Sequence, residues 1–138
     1  MTKDFALLIM RVLLVAIFPI SAYYKIKGWP GIVTPVTTAG LPYPYALSIL
    51  GTAVELVLPF LVILGVATRW AAAGLIVYTA MTCYIGHPIW RLPATEFFPN
   101  LMSFMKNLAM MGALWLLAII GPGRLALQPS KDAEGASS

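Results

Sequence analysis

The sequence predicts an all-α fold, an integral membrane four-helix bundle with an irregular interfacial segment between helices 1 and 2. Three observations carry this reading. Of 138 residues, 60% are hydrophobic and 10% charged, with mean hydropathy +0.87, a balance no soluble domain of this size needs to fill its core. Four runs approach the roughly 20 predominantly apolar residues that a helix needs to cross the hydrocarbon core. The connections between them hold proline, glycine and the tryptophan and tyrosine typical of the headgroup region. The length suits one domain, placed at residues 1–127, with residues 128–138 as a polar tail expected to be disordered.

The first run extends from Phe5 to Tyr24. Its apolar core, Val12 to Ile20, follows Arg11 and precedes the small residues Ser21 and Ala22, an arrangement reminiscent of a signal peptide. The helical pattern continues through Tyr23 and Tyr24 and the cleavage pattern is poor, so the segment is expected to be retained. Next comes KIKGWPGIVTPVTTAGLPYP, which is no regular helix because proline removes a donor and clashes with the preceding turn. It is too apolar for an aqueous loop, and reads as an interfacial or partly re-entrant segment anchored by Trp29, Tyr43 and Tyr45. The second run, Tyr45 to Val66, and the third, Arg69 to Gly86, are separated by Ala67 and Thr68 and form a tight antiparallel hairpin. A longer aromatic, proline-rich connection, HPIWRLPATEFFP, leads to the fourth run, Asn100 to Ile120. GPGR then supplies a stop signal.

Several function classes are excluded at this stage. The net charge of +4 comes from nine basic residues scattered between apolar runs, not from the patch or stripe a nucleic acid requires. A single cysteine, Cys83, excludes an intrachain disulfide relay and reads as a buried structural thiol. One histidine without carboxylates at ligand spacing gives no metal site. The methionines of the fourth run resemble flexible packing more than axial haem ligation. No phosphate loop, nucleophile elbow or dinucleotide fingerprint is present, so the chain has no self-contained catalytic set.

Polar residues inside the runs are the functional candidates, because intramembrane ionisable groups are expensive and rarely incidental. Counting about 1.5 Å per helical residue from the face that bears the termini puts Arg11 about 9 Å deep, Glu55 about 16 Å and Asn107 about 21 Å. Ser21 and His87 fall at about 24 to 27 Å, with Lys25 near the opposite boundary. This count pairs Arg11 with Glu55, which keeps the carboxylate ionised and offsets part of its desolvation. A second layer, Ser21, Lys25, His87, Trp90, Lys106 and Asn107, is suited to the polar head of a small ligand such as a quinone carbonyl or a lipid phosphate. The alternatives stay open: a structural staple for the pair, and snorkelling of Lys25 and Lys106 to the interface. Orientation rests on five basic residues on the terminal face against four on the other, favouring cytoplasmic termini.

The order of these residues resembles the DoxX family of small bacterial and archaeal four-helix membrane proteins, over about Leu8 to Leu127. RVLLVAIFPISAYYKIKGW supplies Arg11, Phe18, Ser21 and Lys25, and AVELVLPFLVILGVATRWAAAG supplies Glu55, Gly65, Thr68 and Arg69. His87 ends the third helix, and NLAMMGALWLLAIIGPGR closes the fourth. Ala22 departs from the glycine often found there. The resemblance implies a four-helix bundle in the cytoplasmic (inner) membrane with cytoplasmic termini. It also implies a subunit or anchor of a quinone-linked oxidoreductase, with quinone as the ligand and other oxidoreductase subunits, or further copies of the chain, as partners. Two alternatives stand beside it: a non-catalytic scaffold or assembly protein, and a small carrier or lipid-binding protein.

Overall fold

The computed structural model describes residues 3–129 and is all-helical within them, in the order α1 (Lys3–Val15), α2 (Ile17–Lys27), α3 (Val33–Thr38), α4 (Pro44–Leu64), α5 (Thr68–Gly86) and α6 (Ala94–Ile120). The first expected run, α1 with α2, is one continuous helical stretch from Lys3 to Lys27: Ala16 keeps helical backbone angles and its N–H donates to Val12 O, and only the bond from residue 19 to the Val15 carbonyl is missing, because Pro19 has no N–H. The irregular segment contains a short helix, α3, whose Val33 and Val36 are buried where it packs on α4 and α5. The last helix starts at Ala94, six residues before the expected Asn100, and takes in part of the aromatic connection.

Three helical runs are long and apolar enough to cross a membrane: Lys3–Lys27, Pro44–Leu64 and Ala94–Ile120. The fourth expected span, α5, is not among them. Its sequence, TRWAAAGLIVYTAMTCYIG, is diluted by threonine, glycine and arginine. It packs between α4 and α6 and buries Ala71, Ala72, Leu75, Thr79 and Cys83. Covered by protein, it has less need of an apolar exterior. The outer faces of the other runs are hydrophobic and exposed, as at Leu13 (72%) and Ile119 (60%), which is the surface a bilayer covers and water does not. This is an integral membrane protein. Aromatic pairs gather at the end remote from the termini: Tyr23 with Tyr24, Trp29 with Tyr45, and Tyr84 with Trp90, as in an interfacial belt.

The helix connections follow from local chemistry. At the end of α4, Gly65 adopts φ +73°, its N–H donates to the Val62 carbonyl and that of Val66 to the Leu61 carbonyl. This is the Schellman arrangement that glycine favours. A side chain on Gly65 would strike Ala126 and Arg11. The chain after α6 folds back over this turn: Leu127 N donates to Leu64 O, Gln128 N to Gly65 O, and Ala67 N to the Gln128 side chain. Gln128, expected in the tail, is therefore tied to the fold; the rest of the expected tail, residues 130–138, lies outside the described residues.

Packing divides the bundle into two unequal halves. Val15, Phe18, Val62, Ala71, Ala72, Leu75, Leu114 and Leu117 form the core, mostly in the half nearer the termini. In that half α1 touches both α4 and α6. Further along, α2 packs on α4 and reaches α5 through the Phe18–Tyr78 ring contact and the Lys25–Tyr78 hydrogen bond. The second half encloses a hollow.

A polar group on the wall of an intramembrane cavity

The hollow is a cavity of about 810 Å³ bounded by α2, α3, α4, α5 and α6. Its walls are mostly aliphatic and aromatic, including Phe18, Val36, Leu47, Leu58, Ile85 and Met110. Ser21, Lys25, Glu55, Tyr78, His87, Lys106 and Asn107 interrupt them. Ile17 on α2, which is 52% exposed on the outer surface, also borders it.

Glu55 is the centre of the polar group. Its carboxylate is 4% exposed, and Oε1 lies 2.8 Å from Lys25 Nζ in a salt bridge. Ser21 Oγ donates to the same oxygen at 3.1 Å. Lys25 Nζ also donates to the Tyr78 hydroxyl at 2.8 Å and stands 5.5 Å from the centre of that ring. The second carboxylate oxygen, Oε2, is buried and has no hydrogen-bond partner among the described residues. Pro59 sits one turn further along α4 and has no N–H for the Glu55 carbonyl, so this turn of the helix is open on both its main chain and its side chain.

The expected Arg11–Glu55 pair does not form. Arg11 is fully buried, and its guanidinium donates to the carbonyls of Val62, at 3.4 Å, and Leu125. The reason is the direction of side chains on a helix, which lean toward the N-terminus of their own helix. On α1 that leads Arg11 toward the terminal face. On α2 it leads Lys25 from the boundary inward, and on the antiparallel α4 it leads Glu55 outward to meet it. Depth counting on backbone positions alone reverses the partnership. Arg11 instead serves the end of α4, where a cation complements the exposed carbonyls of the last turn.

Of the other expected residues, Ser21, Lys25, His87, Lys106 and Asn107 all line the one cavity. Trp90 does not: it is 52% exposed and stacks on Tyr84, with centroids 5.6 Å apart. His87 is held by a residue the sequence reading missed, Asn100, through Nδ1 and Oδ1 at 2.9 Å. The Asn100 amide nitrogen donates to Glu96 O, so its oxygen faces the ring and Nδ1 must be the donor. Neutral His87 then carries its lone pair on Nε2. Tyr78 was also missed, because a tyrosine hydroxyl within an apolar run has no spacing signal that separates it from an interfacial anchor. Among the described residues no group of three or more histidine, cysteine, aspartate or glutamate side chains is placed to hold a metal.

The DoxX family pattern matches residues 6–88, from α1 to just past α5. Inner membrane protein YphA of Escherichia coli K12 is 38% identical over 121 residues, covering 88% of this chain and 86% of that protein. Inner membrane protein YqjF of the same organism is 29% identical over 126 residues, 91% of each chain. No solved structure matches the chain.

Proposed function

This chain belongs to the DoxX family, and on that premise we propose that it is an inner-membrane component of a quinone-linked oxidoreductase system whose bundle binds a lipophilic ligand of the quinone class. The observation that supports this most is the Ser21, Lys25, Glu55 and Tyr78 group on the wall of an otherwise apolar cavity. Ligand pockets in general have this make-up, an apolar lining with a few convergent polar groups. The aliphatic walls suit the ring substituents and the start of a prenyl tail. Lys25, Ser21 and Glu55 suit the oxygen substituents of the ring. The inner-membrane location is carried over from the two relatives. Electron transfer is assigned to partner subunits, since a quinone supplies two-electron chemistry only when a donor or acceptor is docked beside it. This chain's own part is to orient the ring and exclude water from one face.

Photolabelling with a short-chain azidoquinone tests the reading. Purified protein in nanodiscs is expected to be labelled on α2 and α6, saturably, with protection by unlabelled quinone and loss on Ser103→Trp, which fills part of the cavity. Labelling that is non-saturable, or indifferent to Ser103→Trp, removes the reading and leaves the polar group as a structural staple.

A further inference from the structure

Most hydroxyls on the cavity wall are spent within their own helices. Ser48 donates to Pro44 O, Thr52 to Ser48 O, Thr82 to Thr79 O and Ser103 to Pro99 O. Asn107 on α6 differs from them. It lines the cavity half-buried, and its amide, with two N–H donors, has no hydrogen-bond partner among the described residues. Unlike Thr79 Oγ1 and Glu55 Oε2, it is not sealed off from the hollow. The register of α5 and α6 gives its depth. The contact of His87 Nδ1 with Asn100 Oδ1 at 2.9 Å levels those two residues. From there Tyr78 is about 13 Å back along α5 and Asn107 about 10 Å on along α6, at the helical rise of about 1.5 Å per residue. Asn107 is thus within one turn of the depth of Tyr78, whose hydroxyl accepts from Lys25. The lysine and the amide stand on separate walls: among the described residues no Cα of α2 lies within 8 Å of one on α6, yet both helices border the one hollow. Lys25 keeps 29% of its side-chain surface accessible and has three N–H groups, of which Glu55 and Tyr78 engage two.

We propose that Asn107 holds the second oxygen of the ligand: Lys25 donates to one carbonyl from α2, Asn107 donates to the para carbonyl from α6, and the ring lies across the bundle between them. The inference rests on the quinone-class reading above and adds the residue that makes the cavity selective for a ring with oxygen at both ends. A ring with one carbonyl leaves the amide against an apolar group and forfeits a neutral hydrogen bond, about fivefold in affinity. Lys106 follows Asn107 on the same wall but is exposed, and its long stem carries the ammonium toward the boundary, so the amide and not the ammonium is the anchor.

The test compares duroquinone with hexamethyl-2,5-cyclohexadienone, in which a dimethyl carbon replaces the second carbonyl. Both are measured by equilibrium dialysis against protein in nanodiscs, with empty nanodiscs to subtract partitioning. Duroquinone is expected to bind about fivefold more tightly. In Asn107→Leu, which keeps the side-chain shape, the ratio should fall toward one through loss of duroquinone affinity, with the dienone unchanged; in Lys106→Met the ratio should be kept. Equal affinities in the unmodified protein, a ratio that survives Asn107→Leu, or one that Lys106→Met abolishes, overturns the inference and leaves the quinone-class reading standing. Saturable binding of neither compound overturns both. Infrared difference spectra of duroquinone bound to the unmodified protein decide the matter even where Asn107→Leu does not fold: two anchored carbonyls leave no absorption at the free-ligand frequency, whereas an unshifted carbonyl band overturns the inference.

Discussion

Removing the ammonium from the buried pair, by Lys25→Met, should destabilise the protein by about 3 kcal/mol, the lower end of the range for breaking a buried ion pair. At the observed 2.8 Å and an effective dielectric of 20, the attraction between the two charges is about 6 kcal/mol. Part of that offsets the desolvation of both groups. Lys25 remains 29% exposed, so its share of the desolvation is modest, while the carboxylate at 4% bears most of it. Methionine keeps the length and apolar volume of the lysine stem, which isolates the charge from packing. Unfolding of detergent-solubilised protein, followed by far-UV circular dichroism, measures the change. In Lys25→Met with Glu55→Gln the orphaned charge is gone, and at least half of the lost stability should return. The argument fails if the two substitutions are additive, because a coupling energy near zero means that the charges do not sense each other.

Arg11→Met should release the segment that follows α6. Hydrogen exchange of the Leu127 and Gln128 amides, which donate to Leu64 and Gly65, is expected to accelerate while quinone-analogue binding at the cavity is unchanged. Gly65→Ala places a non-glycine residue at φ +73°, costing about 1 to 2 kcal/mol from backbone strain alone, and its Cβ collides with Ala126 and Arg11. A clear loss of thermal stability is expected, larger than for Gly112→Ala, where a Cβ meets nothing within 4 Å.

Much of the fold was legible because the bilayer imposes it. Length, apolarity and the punctuation by GPGR and the prolines located the helical runs to within a few residues, α6 excepted. There, Ala94 to Pro99 was taken for part of a connection, since Pro93 and Pro99 bracket it and proline usually argues against a continuing helix. The cavity-facing residues Ser21, Lys25, His87, Lys106 and Asn107 were found as a set, because polar side chains at similar depth have few places to go. Their pairing was not legible from depth. Whether Glu55 meets Arg11 or Lys25 depends on side-chain direction in antiparallel helices, which backbone counting ignores. The hollow itself was not legible, because it depends on how α2, α3, α4, α5 and α6 pack around it.

The uneven filling of the bundle has a consequence for permeation. The half near the termini is closed by Val15, Val62, Leu75, Leu114 and Leu117, each with no accessible surface, so the cavity is a blind vestibule and not a conduit. The packed half separates Glu55 from the terminal face of the bundle.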